Sequence, residues 1–250
     1  MNVKPLVLIP SYNSGKVLLP TLQDALSQST APVMLVIDGS TDGSELAALE
    51  FAKAEPRLTV IVKTENAGKG AAVRSGLQRA ESEGFTHALV MDADGQHPAE
   101  RIDPFFEYAE KTPEAMILGQ PVFDANVPLE RLYGRKLSVW MVQFEVGGRM
   151  VGDPLFGFRV YPIRPLLRVM EKPGRSDRYD FDPEVAVRLS WLGVPAIKVR
   201  APVKYISREQ GGVSHFHYVR DNVRFVCLHV RLALQAPYRW IARPKQPPTL

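Results

Sequence analysis

Short apolar runs rich in β-branched residues recur through the first half of the chain, at residues 6–9, 33–37, 58–62 and 88–91. Each is followed by a longer stretch with helical spacing of its apolar positions, over residues 17–27, 45–54, 71–83 and 100–110. Near-continuous apolar strands separated by helices predict a mostly parallel sheet covered on both faces. The second half reads differently. Residues 121–128 read as a loop, 131–150 as a helix with a stripe at Leu132, Val139, Val142, Phe144 and Val146, and 151–161 as extended backbone. A helix over 183–192 and a strand over 197–206 follow. Finally, Val219, Val223, Val226, Val230 and Ala233 fall at four-three spacing, the apolar face of one last helix. Such a stripe is read first as a core face.

Length and composition narrow the picture. The 250 residues suit one large domain or two intimate small ones, and 45% hydrophobic with 23% charged residues excludes a disordered or fibrous chain. No apolar run reaches the roughly 18 residues a membrane span needs, and no secretory leader pattern precedes the first strand. The expectation is an intracellular, cytoplasmic protein. The one cysteine, Cys227, cannot form an internal disulfide and is read as a small core filler. Charge is uneven: residues 198–243 hold nine basic side chains against two acidic ones, on a body that is slightly acidic. A basic end suggests an anionic partner. The arginines of the last helix, with Tyr238 and Trp240, could rest on an anionic leaflet, which makes it an amphipathic basic helix.

Ligands of open α/β sheets bind beyond the carboxyl ends of the strands, and four strand-to-helix loops carry suggestive chemistry. The first, Pro10-Ser11-Tyr12-Asn13-Ser14-Gly15, offers an aromatic ring with small polar partners, suited to stacking on a base. The second, Asp38-Gly39-Ser40-Thr41-Asp42-Gly43, offers an acid for a ribose. The third, Asn66-Ala67-Gly68-Lys69-Gly70-Ala71, puts backbone amides and a lysine at a helix start, a natural anion site. The fourth is Asp92-Ala93-Asp94-Gly95-Gln96-His97. Residues two apart on extended backbone project to one side, so Asp92 and Asp94 can aim two carboxylates at one point. Such a pair repels itself unless a cation intervenes, and hard oxygen ligands suit Mg²⁺ or Mn²⁺. Together the four loops describe a nucleotide-diphosphate site.

These motifs resemble those of family 2 glycosyltransferases with a GT-A fold, and the DAD-x-QHP form at 92–98 is similar to the dolichyl- and polyprenyl-phosphate sugar synthase branch. The likeness continues through Gly152-Asp153-Pro154-Leu155-Phe156-Gly157-Phe158-Arg159 and Phe181-Asp182-Pro183-Glu184. It implies a GT-A (Rossmann-like) α/β domain over 1–210, with a nucleotide-binding half at 1–118 and an acceptor-binding half at 119–210, and a basic helix and tail at 211–250. Pro10, Tyr12, Asn13 and Asp38 would line the nucleoside pocket, and Lys69 and Gly70 would lie near base and ribose. Asp92, Ala93, Asp94 and Gln96 would meet the diphosphate, with Asp92, Asp94 and Gln96 holding Mg²⁺ or Mn²⁺. Arg159 and Arg208 would face acceptor or leaving phosphates. Two departures stand out: Ile37 replaces the first of two adjacent acids, and His215 follows Ser214 where the branch carries lysine.

The implied activity is inverting transfer of a sugar from a UDP- or GDP-sugar to a lipid-linked or polyprenyl-phosphate acceptor, with peripheral membrane contact. A phosphate acceptor is already anionic and needs no base, whereas a hydroxyl acceptor in a glycolipid or polysaccharide would require one. Asp153 comes first for that role, then Asp182 and Glu184. A non-catalytic nucleotide-sugar-binding subunit is the other alternative. A nucleotidyltransferase is disfavoured because its Gly-rich basic loop is absent after the first strand. A dinucleotide-binding oxidoreductase lacks its third glycine at Val73. No nucleic-acid module is recognised in the basic end.

Overall fold

A computed structural model describes residues 2–122, 129–148, 151–171, 177–178, 180–203 and 218–242. The first half is four strand–helix units: β1 (Pro5–Ser11), α1 (Leu18–Gln28), β2 (Val33–Asp38), α2 (Ser44–Ala54), β3 (Leu58–Lys63), α3 (Lys69–Ser82), β4 (His87–Val90) and α4 (Ile102–Lys111). The second half contributes β5 (Met116–Val122), α5 (Leu129–Glu145), β6 (Arg159–Pro162), α6 (Ile163–Val169), α7 (Phe181–Trp191), β7 (Ala196–Pro202) and α8 (Tyr218–Ile241). Among the described residues the strands form one sheet in the order β3-β2-β1-β4-β6-β5-β7. All run parallel except β6, which pairs antiparallel with β4 and β5. This is the mostly parallel sheet the patterning predicts, and it is GT-A-like, as the family resemblance implies.

Side chains alternate across a strand, so β1 feeds two cores. Leu6 and Leu8 pack with Val73 and Leu77 of α3 and with α5–α8, whereas Val7 and Ile9 pack with Leu22 of α1 and Phe105 of α4. Helix α3 lies especially close to the sheet. A Cβ on Gly76 would run into the Leu8 side chain and within 3.0 Å of Val36 Cγ2.

The second half departs from its sequence reading in four places. Strand β5 begins before the expected 121–128 loop and contains Pro121, while residues 123–128 of that loop lie outside the described residues. The missing N–H is tolerated there. It would point to the β6 side, like that of Gly119, and β6 pairs with β5 only at Ile117 and Leu118. Residues 151–158 are irregular rather than extended, because Gly152 sits at φ +81° and the Asp153 carboxylate caps the Leu155 amide. Short α6, with Pro165 inside it, has too few apolar periods to be read as a helix. The fourth difference is in the last helices.

Helix α8 buries Leu228, His229, Leu232 and Ala236, and turns Val223, Val226 and Val230 outward, each more than half exposed. The valine stripe is therefore a second apolar face rather than the core face, and Cys227 beside it is exposed, not a core filler. Phe144 of α5 also turns outward, against the edge of Trp240. Among the described residues no helix is long and apolar enough to cross a membrane.

Replacing Gly76 by valine should cost about 1–3 kcal/mol of stability through overpacking between α3 and β1, read as a lowered urea midpoint with an unchanged m-value.

Candidate active site

Strand order reverses between β1, whose chain proceeds to β2 and β3, and β4, which lies on its other side. The crevice at the carboxyl ends of those two strands is where an open α/β sheet binds ligands, and a cavity of about 800 Å³ opens there. Pro10, Tyr12 and Asn13 line it from the end of β1, Asp38 from β2, and Lys69 from the start of α3. Asp92, Ala93 and Asp94 line it from the end of β4, and Asp182 from α7.

Local hydrogen bonding explains how these loops hold their shape. Asn13 adopts the left-handed φ of +46° that asparagine tolerates. Its side-chain oxygen accepts the Thr41 amide at 2.7 Å and its own amide donates to Ser40 Oγ, so the first and second loops are tied together. Tyr12 is left with its ring partly exposed at the cavity. Asp38 is only 2% exposed. One oxygen pairs with Lys63, and the other accepts the amides of Ala67 at 3.1 Å and Gly68 at 2.6 Å. This acid, read from sequence as a base or ribose contact, thus uses one oxygen to fasten the third loop and the other to hold Lys63 at the end of β3.

The centre of the site is an ion cluster. Lys69 Nζ lies 2.6 Å from Asp92 Oδ1 and 2.6 Å from Asp182 Oδ2. Burial alone would lower the Lys69 pKa, but the two carboxylates raise it above the ordinary lysine value. Burial pushes the Asp92 carboxyl up, and Lys69 with His97 pulls it down further, to a net position below the usual range. Asp94 goes the other way: burial and the Asp92 charge raise it. Asp94 Oδ1 accepts the Gln96 amide at 3.0 Å. Gln96 thus contributes its main chain to the acid pair, and neither its side chain nor buried Gly70 lines the cavity.

The other expected site residues fall around this cluster. Asp153 is 5% exposed, pairs with Arg135 at 2.6 Å, and stands outside the cavity lining. Arg159 is 1% exposed. It donates to the carbonyls of Phe156, Asp153 and Asp182 and to the Tyr161 hydroxyl, so it braces the 153–158 segment against α7 from beneath. Glu184 is fully buried between Arg188 and Arg231. Arg208 lies outside the described residues, as do Ser214 and His215.

Three contributors carry no role in the sequence reading. His97 accepts the Asp92 amide on Nδ1 at 2.9 Å and packs edge-on against Phe156 and Phe158, fixing the backbone of the acid pair. Gly157 leaves the space the ion cluster needs: a Cβ there would stand 2.9 Å from Lys69 Nζ and 3.0 Å from Asp92 Oδ2. A second wall comes from α5 and α8, with Leu137, Met141, Arg220, Arg224, Phe225 and Val226. The motif DAD-x-QH did quote His97, but a motif gives spacing and not a partner.

Known proteins resemble this chain in sequence and in fold. The sequence model of glycosyl transferase family 2 matches residues 6–171. The chain is 28% identical over 214 residues to the polyprenol monophosphomannose synthase of Mycolicibacterium smegmatis, covering 83% of this chain and 79% of the relative. It is 27% identical over 215 residues to the undecaprenyl-phosphate mannosyltransferase of Micrococcus luteus, covering 84% and 86%. Among solved structures, the mannosyltransferase PcManGT of Pyrobaculum calidifontis, in complex with GDP-Man and Mn²⁺, superposes with a TM-score of 0.61 at 19% identity, over 99% of this chain and 67% of that one. Residues 1–349 of S. aureus TarS give 0.57 at 18% identity, over 79% of this chain and 58% of that one.

Lys69→Met should destabilise the fold by about 1–3 kcal/mol at pH 7, because buried Asp182 and half-buried Asp92 lose their shared cation. The Asp92 pKa is depressed in the folded state, so its share of this stability is present above the ordinary carboxylate range and is lost as pH falls through the lowered value. Urea unfolding should therefore show the gap between variant and parent narrowing from pH 7 to pH 3.

Proposed function

The chain belongs to glycosyl transferase family 2, and from that membership we propose that it moves a sugar from a nucleoside-diphosphate donor to a polyprenyl-phosphate acceptor, with a divalent cation and inversion at the anomeric carbon. The observation that carries the reading is the acid pair Asp92 and Asp94 at the β1/β4 crevice, in one cavity with the Tyr12 ring and the start of α3. Tyr12 offers a stacking face to the base. Arg178, which also lines the cavity, favours an anionic donor.

The residues present suit Mg²⁺ or Mn²⁺. Asp94 Oδ2 is not used by the Gln96 contact, Asp182 Oδ1 is buried without a hydrogen-bond partner, and all the oxygens are hard donors. Among the described residues no cluster of three or more acids, histidines or cysteines is placed to hold a metal unaided. Asp92 and Asp94 would thus supply the protein ligands, with donor phosphate and water completing the shell. When bound, such a cation supplies electrostatic stabilisation of the charge that grows on the leaving diphosphate.

Pairing of the carboxylates supports a phosphate acceptor over a hydroxyl one. Asp153 is held by Arg135, Asp182 by Lys69, and Glu184 by Arg188 and Arg231. Each is thus already engaged by a cation, and neither Asp153 nor Glu184 lines the cavity where a hydroxyl would have to be deprotonated. An acceptor that arrives already ionised needs no base. The outward apolar face gives such a lipid enzyme its foothold: Trp140, Val230, Leu234, Tyr238 and Ile241 are exposed on α5 and α8, and arginines flank them on α8.

With Mn²⁺, a polyprenyl phosphate and a panel of UDP- and GDP-sugars, the chain should form a lipid-linked sugar, and Asp94→Ala should reduce the rate at least about 100-fold. Donor binding without transfer to any acceptor would instead favour a nucleotide-sugar-binding subunit. In a second measurement, the chain should co-float with vesicles containing anionic phospholipid at low salt, and Val230→Asp with Leu234→Asp should abolish most of that flotation. Parent protein that stays at the bottom of the gradient would refute membrane docking by this face.

A further inference from the structure

The end of β2 offers a nucleobase no free carboxylate. Ile37 is apolar and 1% exposed, and both oxygens of Asp38 are engaged, one by Lys63 and the other by the amides of Ala67 and Gly68. Asn13 Oδ1 is likewise taken, by the Thr41 amide. What faces the cavity beside this loop is a donor. Arg178 lines the cavity, half-buried, and its stem lies on Gly68: a Cβ there would stand 2.7 Å from Arg178 Cγ and run into the Asp177 carbonyl oxygen. The main chain under the arginine is fastened. The Asp177 carbonyl accepts the Ala71 amide at 3.2 Å, the Asp177 carboxylate pairs with Arg74, and the Arg178 amide donates to Asp180 Oδ1 at 3.1 Å. Lys69, Arg178, Arg220 and Arg224 are the lysines and arginines of the described lining. Lys69 is paired with Asp92 and Asp182, and Arg220 and Arg224 with Asp221, whereas the Arg178 guanidinium meets no carboxylate among the described residues.

We propose that Arg178 reads the base of the donor and selects guanine, by donating two parallel hydrogen bonds to its O6 and N7. The proposal rests on the nucleoside-diphosphate reading above and names the nucleoside. A base stacked on Tyr12 spends its face and leaves its edges to groups in the plane. The guanidinium is a planar, rigid fork of donors with no acceptor. Guanine presents O6 and N7 as adjacent acceptors on one open edge, a match for that fork. On the same edge adenine pairs N7 with an amino donor, cytosine presents an amino donor, and uracil presents a lone O4. A site whose acids are spent and whose fork is fastened in place fits the guanine edge and penalises the other three.

The test measures nucleotide affinity by calorimetry with Mg²⁺ in the full chain, independently of any sugar transfer. The parent should bind GDP at least about tenfold more tightly than UDP, CDP or ADP. The deaza analogue of GDP, with carbon in place of N7, should bind about fivefold more weakly than GDP itself. Arg178→Lys keeps the charge and removes the fork. In that variant GDP and its deaza analogue should bind alike, while UDP affinity stays within about threefold of the parent's. An unchanged unfolding temperature reports that the variant is folded. An equal loss for every diphosphate would put Arg178 on the phosphates and overturn the proposal, as would a parent that prefers UDP or ignores the loss of N7. Guanine-selective binding that depends on Arg178, without transfer to any acceptor, would reject the proposed reaction alone. Transfer from a UDP-sugar in preference to its GDP counterpart would reject the base assignment alone.

Discussion

One ammonium group, that of Lys69, holds the site together. Half-buried Asp92 and Asp94 and buried Asp182 line one cavity, and like charges so placed either protonate or move apart. Lys69 answers two of them at 2.6 Å each. It does so from the first residue of α3, where the helix dipole disfavours a cation. That cost is offset nearby, because the Asp38 carboxylate sits at the same helix start and accepts the Gly68 amide. The lysine also spans the two halves of the chain, since Asp92 ends β4 and Asp182 opens α7. Arg159 fixes the α7 side of this bridge by holding the Asp182 carbonyl, and Gly157 keeps open the room in which it forms.

Much of this was legible in the sequence, for physical reasons that differ by element. Strands β1–β4 and the helices between them announce themselves because both faces of the sheet are covered, so the strands read as unbroken apolar runs. Strand β5 does not, since Gly119-Gln120-Pro121 looks like a turn until the short reach of β6 makes the proline harmless. The four-three spacing of the valines in α8 correctly gives a helix, but spacing alone cannot say which of two apolar stripes is packed. Leu228, Leu232 and Ala236 compete for the core with Val223, Val226 and Val230, and win it.

Site chemistry was legible in type more than in partner. The sequence places Asp38 at the right strand end, and only the structure gives its oxygens to Lys63 and two loop amides. Asp153 and Glu184 have the right chemistry for a base, yet each is neutralised by an arginine distant in sequence. Arg159 has the right charge for a phosphate and is instead consumed by main-chain carbonyls. Long-range pairing of this kind has no local signature, which is why motif spacing overstates the number of groups available to a substrate.

Both halves of the chain contribute to the charge balance of the cavity. Among the described lining residues, Asp38, Asp92, Asp94 and Asp182 face Lys69, Arg178, Arg220 and Arg224. The formal charges of these lining side chains cancel, and behind them Lys63 answers Asp38 while Asp221 answers Arg220 and Arg224. A cavity so balanced gains little by taking in a nucleoside diphosphate alone, and less by adding a phosphate acceptor beside it. A divalent cation on Asp92 and Asp94 changes the sum by two charges at the end where the diphosphate would lie. Arg220 and Arg224 of α8 line the other end. The described lining is thus acidic at the β4 terminus and basic at α8, a separation of charge on which the proposed reading of two anions bound apart rests.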